Sequence, residues 1–118
     1  MTIEECYEGL GGDYKRVCGR LPGRQFVERF LWRYLEDDSA QLLFAALAAR
    51  DPAESYRCAL ALKGVAGNLG FEDLERAVSE LAETIRGGEI TPQALEQAGT
   101  VRCCHQAAVK ILRLYFEA

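Results

Sequence analysis

The sequence contains no apolar run approaching the roughly 18 residues that are needed to cross a bilayer, and its first residues lack the basic-then-apolar order of a secretory signal peptide. Positive charge is also scarce, because 14 lysines and arginines stand against 18 acidic residues, for a net charge of −4. Such a chain has no overall positive field to neutralise phosphates, so nucleic acid is not an expected partner. We therefore expect a cytoplasmic protein that binds neither membranes nor nucleic acid.

The motifs that usually hold a cofactor are missing as well. There is no Walker loop, no dinucleotide-binding fingerprint and no cluster of metal ligands, so we expect no bound cofactor or metal. The cysteines are odd in number and none has C-x-x-C spacing, which argues against a disulfide framework and against a zinc site. We expect reduced thiols. The adjacent Cys103 and Cys104 could form a redox switch, but neighbours on a helix point about 100° apart, so we expect this pair to be small buried hydrophobes instead. The five cysteines are Cys6, Cys18, Cys58, Cys103 and Cys104.

What the sequence does contain is the pattern of a single helical domain over residues 1–118. Hydrophobic residues make up 49% and charged residues 27%, a balance typical of one soluble globular unit. No stretch shows the alternation of a strand bounded by hairpin turns. We predict an all-α fold, an antiparallel four-helix bundle with additional short N-terminal helices. The long helices are predicted over 22–37, 52–70, 71–86 and 92–116, with helices over 2–10 and 39–50 packed alongside and a linker over 13–21.

Several helix boundaries are marked by capping signals. Thr2-Ile3-Glu4-Glu5 has the form of a capping box, and Gly11-Gly12 offers a stop. Asp51-Pro52-Ala53-Glu54 combines a cap, a proline at the first helical position and a glutamate three residues after the cap. Thr91-Pro92 repeats the cap and proline. Ser39 is predicted to cap the helix that ends near Arg50.

Two of the long helices are predicted from their apolar spacing. Pro22 is placed near the start of an aromatic-rich helix, and the carboxylates of the 71–86 helix are expected on its solvated side. The apolar stripe of the aromatic-rich helix comprises Phe26, Val27, Phe30, Leu31, Tyr34 and Leu35.

The helix over 52–70 has an unusual outer face. Its core stripe is formed by Ala59, Leu62, Ala66 and Leu69. The other side carries mostly small or uncharged residues, namely Arg57, Leu60, Ala61, Gly64, Gly67 and Asn68. Gly64 and Gly67 each cost a helix interior about 1 kcal/mol relative to alanine, which indicates a close approach to the backbone. The approaching group could be another protein or a neighbouring helix of this chain, and Leu60 could be an ordinary exposed leucine.

The same helix carries a family resemblance. The segment Ala59-Leu60-Ala61-Leu62-Lys63-Gly64-Val65-Ala66-Gly67-Asn68-Leu69-Gly70 resembles the signature of histidine phosphotransfer (HPt) domains, in which histidine, any residue, leucine, lysine and glycine are followed by small residues and a leucine-glycine end. Leu60 stands where the family has its phospho-accepting histidine. The turn over residues 11–13 and the helix over 74–88 are also similar to bacterial members.

The resemblance implies an HPt-like four-helix bundle in a two-component phosphorelay, with a response-regulator receiver domain or a sensor histidine kinase as its partner. HPt domains carry the phosphoryl group on an exposed imidazole, whose neutral nitrogen is nucleophilic near pH 7. Leucine has no lone pair, so we expect a pseudo-HPt module that docks its partner without phosphotransfer and is not an enzyme. The predicted docking surface consists of Arg57, Leu60, Ala61, Lys63, Gly64, Gly67 and Asn68.

Alternatives remain open at this point. The lone histidine, His105, could carry phosphate in place of residue 60, although a single helical histidine is more often a packed or surface residue. The chain could also be a structural bundle that self-associates through Leu60, Ala61 and Gly64, and the sequence leaves the oligomeric state undetermined. Lys63 could be an ordinary solvated lysine.

Overall fold

The computed structural model describes residues 1–19, 21 and 23–117, and within these ranges every regular element is a helix. The helices are α1 (Ile3–Leu10), α2 (Tyr14–Cys18), α3 (Arg24–Glu36), α4 (Ser39–Ala48), α5 (Pro52–Leu69), α6 (Glu72–Ile85) and α7 (Pro92–Glu117). The predicted all-α class is confirmed. None of the helices described is both long enough and apolar enough to span a membrane.

Three helix starts follow from the capping signals of the sequence. The Thr2 hydroxyl accepts a hydrogen bond from the Glu5 N–H, and the Glu5 carboxylate accepts one from the Thr2 N–H. The Asp51 carboxylate accepts from the Glu54 N–H at the start of α5, and the Thr91 hydroxyl accepts from the N–H of residue 94 at the start of α7. These side chains satisfy N–H groups that have no partner inside the helix, so α1, α5 and α7 begin where predicted.

The segment predicted as a linker contains a helix of its own. Asp13 is the N-cap of α2, and its carboxylate accepts a hydrogen bond of 3.2 Å from the Arg16 N–H. The prediction was wrong here because a five-residue helix is too short to show an apolar period.

The start of α4 also differs from the prediction. Ser39 is the first residue of α4 and not its cap, because the preceding loop supplies the hydrogen bond: the Asp37 carboxylate accepts from the Ser39 N–H at 2.8 Å. The helix ends at Ala48, near the predicted end at Arg50. The predicted helix start at Pro22 lies outside the described residues.

The core confirms most of the predicted apolar stripes. All members of the α5 stripe are buried, as are Val27, Leu31 and Tyr34 of α3. Phe26 and Phe30 are 41% and 36% exposed, contrary to the six-residue stripe predicted for α3. At about 100° per residue that stripe covers too wide an arc to be buried against one neighbour, so these two rings face solvent.

Helix α5 occupies a central place in the packing. It contacts α4 on one side and α6 on the other, and α6 in turn contacts α7. Helix α4, predicted to lie alongside the bundle, shares an extensive interface with α5, whereas α3 contacts α5 and α7 over shorter stretches. Helix α1 packs on α7.

The C-terminal end of α5 is tied to the N-terminal segment. Gly70 closes α5 with a φ of +70°, and its carbonyl accepts a hydrogen bond from the Asp13 N–H at 3.0 Å. The Tyr7 hydroxyl donates to the Leu69 carbonyl at 2.9 Å. A Cβ at position 70 would meet the Val17 side chain and the Asp13 carbonyl. This junction brings α2 beside the outer face of α5.

Candidate functional site

The residues of the predicted docking surface face outward. Leu60 is 43% exposed, Gly67 is half-buried, and the other five are exposed. The core stripe on the opposite side of α5 is fully or almost fully buried. The helix phase read from the sequence is therefore confirmed, while the docking role remains a prediction.

The two glycines of this surface have different surroundings. Apart from the nearby backbone of α5, no atom of the described residues lies within 4 Å of the position that a Cβ on Gly64 would occupy. A Cβ on Gly67 would instead meet the carboxylate of Glu75, which leans over α5 from α6. Packing within the chain therefore accounts for a small residue at position 67 and does not account for one at position 64.

A shallow groove runs along this face between α5, α6 and α2. Its volume is about 320 Å³, and its lining residues are Arg16, Leu60, Lys63, Gly64, Gly67, Asn68 and Glu75. It adjoins a second groove between α2, α5 and α6 that also includes Arg16, Lys63 and Glu75. Five of the seven predicted docking residues thus share one concavity, and Arg57 and Ala61 lie outside it.

Charges along the groove are only partly paired. The Arg16 guanidinium lies 3.4 Å from Glu75 and 3.7 Å from Glu72, both measured between nitrogen and carboxylate oxygen. Because these groups are partly exposed, each pair contributes no more than about 1 kcal/mol. Lys63 has no carboxylate within ion-pair distance in the described part of the chain. Its ammonium is therefore available to an anionic group of a partner.

Arg57 is already engaged. It forms a bidentate hydrogen-bonded pair with the Glu54 carboxylate one turn earlier on α5. The hydrogen bond with Glu54, followed by its charge, raises the pKa of Arg57, and the same hydrogen bond lowers the pKa of Glu54. Arg57 thus carries a locally balanced charge at the edge of the surface.

Sequence reasoning missed Arg16 and Glu75 as parts of this site. Arg16 belongs to the segment predicted as a linker, and Glu75 was expected simply to be solvated on α6. No local pattern connects position 16 with position 75. Their meeting depends on the hydrogen bonds that fix α2 at the end of α5.

His105 lies away from this surface. It is 8% exposed on α7, and its Nδ1 is 2.7 Å from the Tyr34 hydroxyl. Burial lowers its pKa. The cavity that His105 lines shares no residue with the groove beside Leu60. A buried imidazole with one nitrogen already bound is poorly placed to exchange phosphoryl groups with another protein.

The thiols differ in exposure. All five are free; Cys6 and Cys58 are buried and Cys104 is half-buried. Cys18 is exposed at the end of α2. The prediction of a buried hydrophobic role for the adjacent pair is wrong for Cys103, which faces solvent on α7. Within the described ranges no three histidine, cysteine or carboxylate side chains are grouped as metal ligands.

No family model, curated protein or solved structure matched the chain.

Proposed function

We propose that this chain is an HPt-like module of a cytoplasmic two-component phosphorelay that docks a receiver domain or sensor histidine kinase without carrying phosphate. In this proposal the helices form the four-helix bundle of the HPt family, and the outer face of α5 is the docking surface. The observation that carries it is Gly64, a helix-interior glycine with open space beside it, one turn from an exposed Leu60.

Gly64 supports docking because nothing in the described part of the chain compensates for the helix stability that a glycine costs. A glycine at this point of α5 is less favourable than alanine by about 1 kcal/mol. Nothing in the described structure occupies the space that the missing Cβ leaves. A partner that approaches the α5 backbone closely would benefit from that space, as the resemblance to HPt domains implies.

Leu60 and Lys63 fit the acidic active site of a receiver domain in different ways. Lys63 offers an unpaired ammonium to the aspartates, and Leu60 offers an apolar side chain. In a functional HPt domain an imidazole nitrogen forms a bond to phosphorus while the aspartyl oxygen–phosphorus bond breaks. Leucine cannot form that bond, so the same approach would end in binding.

Calorimetric titration against the receiver domains of the same organism tests the proposal. Each receiver is used unphosphorylated and with beryllium trifluoride as a phosphoryl mimic. We expect at least one saturable complex, weakened at least tenfold by Gly64→Gln. Gly99→Gln is the matched control, because Gly99 is also helical and a Cβ there would also meet no described neighbour within 4 Å. Absence of binding to every receiver, or equal binding by Gly64→Gln, would contradict the proposal.

Restoring the histidine provides an independent test. Leu60→His places an imidazole on an exposed position one turn from Lys63, so we expect the variant to acquire an acid-labile phosphoryl adduct from a phosphorylated receiver. Intact-mass measurement detects the adduct, and the natural chain should show none. An adduct on the natural chain that disappears in His105→Gln would establish the rival route through His105. A dimer in sedimentation that Leu60→Asp dissociates would instead favour self-association.

A further inference from the structure

A second cavity, of about 440 Å³, lies between α3, α4 and α7 and is separate from the proposed docking surface. Its volume falls in the range of roughly 300 to 1,000 Å³ that is typical of small-molecule sites. Tyr34 and His105 are its buried members, Lys110 and Arg113 stand on its α7 side, and Leu35 and Val109 add apolar surface.

The buried pair presents a hydrogen-bond donor. The Tyr34 hydroxyl has one partner, the Nδ1 of His105, and no other acceptor for its proton is found among the described residues. Because a buried hydroxyl proton is normally hydrogen-bonded, we assign Tyr34 as the donor and Nδ1 of His105 as the acceptor. A neutral imidazole then carries its own proton on Nε2, and burial keeps this imidazole neutral by lowering its pKa. Nε2 is left as a donor without a partner in the described structure.

The charge around the cavity favours an anion. Lys110 and Arg113 are exposed, one helical turn apart, and no carboxylate of the described chain lies within ion-pair distance of either. The carboxylate that does line the cavity, Asp37, accepts the N–H of Ser39. Two unpaired cations thus face one carboxylate that is already hydrogen-bonded.

We propose that this cavity binds a small organic carboxylate. Lys110 and Arg113 hold its anionic end, and the apolar body lies against Leu35 and Val109. The N–H of His105 donates to one oxygen of this carboxylate. The apolar wall distinguishes this class from inorganic anions, whose full hydration shell gains nothing from such a surface.

The test is an amide NMR titration of the natural chain with 3-phenylpropionate, and with 3-phenylpropan-1-ol as the uncharged probe of the same shape. We expect saturable shift changes confined to α3, α4 and α7, with the alcohol binding at least tenfold more weakly. The double variant Lys110→Gln/Arg113→Gln should lose at least tenfold in affinity for the carboxylate. Both positions are exposed, so folding should be unaffected.

A matched double variant, Lys15→Gln/Arg86→Gln, removes the same charge away from the cavity and should bind 3-phenylpropionate like the natural chain. The Gly64→Gln variant should also bind it normally, which separates this site from the docking surface. No saturable change, equal binding of the alcohol, or equal loss in both double variants would overturn the proposal.

Discussion

Replacing Gly64 by alanine should stabilise the protein while weakening docking. The position lies inside α5, where alanine is favoured over glycine by about 1 kcal/mol. Outside the backbone of α5 itself, the added Cβ meets no atom of the described residues within 4 Å, so no clash with them opposes this gain. Gly64 is exposed on the outer face of α5, so the methyl group of alanine neither fills nor opens a cavity. The expected change in the free energy of unfolding is therefore an increase of about 1 kcal/mol.

Urea unfolding followed by circular dichroism measures this change. The midpoint should rise while the slope of the free energy against urea stays constant, because the surface exposed on unfolding is unchanged. For a domain of this size the melting temperature should rise by roughly 4 °C. Gly99→Ala should give a similar gain, since that position is also helical and open. Gly67→Ala should gain less, because its Cβ displaces the Glu75 carboxylate.

Substitutions at Gly64 and Gly99 should differ in their effect on receiver binding. Gly64→Ala should weaken the proposed complex with a receiver domain, whereas Gly99→Ala should leave it unchanged. A loss of stability for Gly64→Ala would refute the reasoning, because it would mean that another part of this chain occupies the space beside α5. A similar gain in stability with no loss of binding would leave the outer face open but unused by the partner.

Three further outcomes follow from the described geometry. Gly70→Ala should lower the free energy of unfolding by about 3 kcal/mol in urea titrations, because alanine disfavours the positive φ and its Cβ would overlap two neighbouring residues. Gly88→Ala is the control: its φ is +93°, but no described neighbour lies within 4 Å of a Cβ, so it should lose only about 1 kcal/mol. An NMR titration should give His105 a pKa below its ordinary 6.5. As the pH falls, His105 is protonated in the unfolded chain before it is protonated in the folded one, so the free energy of unfolding should fall as the pH drops below 6.5. His105→Gln should remove this part of the pH dependence. Cys18 and Cys103, both exposed, should react with a thiol reagent first, while Cys6, whose pKa burial raises to about 11, should react only on unfolding.

The helix boundaries were predictable where a side chain caps its own helix. Thr2, Asp51 and Thr91 each satisfy an N–H three residues ahead, an interaction that depends on no other part of the fold. The phase of α5 was predictable for a similar reason, because the helical period alone places Ala59 and Leu62 opposite Leu60.

The contacts between distant segments were not predictable in this way. Arg16 reaches Glu75 only because the backbone of Asp13 is hydrogen-bonded to the end of α5. Phe26 and Phe30 have the spacing of core residues, and only the position of the neighbouring helices decides that they face solvent.

The residue at position 60 can change without disturbing the fold. The side chain of Leu60 takes no part in the buried stripe of α5, so exchanging it for histidine alters neither the core nor the helix caps. Its exposed apolar surface would contribute roughly 1 kcal/mol if a partner covered it. Mutational changes in affinity of this kind act mainly on the dissociation rate, and 1 kcal/mol corresponds to about fivefold. A docked receiver should therefore remain bound about fivefold longer on the natural chain than on a Leu60→Ala variant, which suits a module that sequesters its partner.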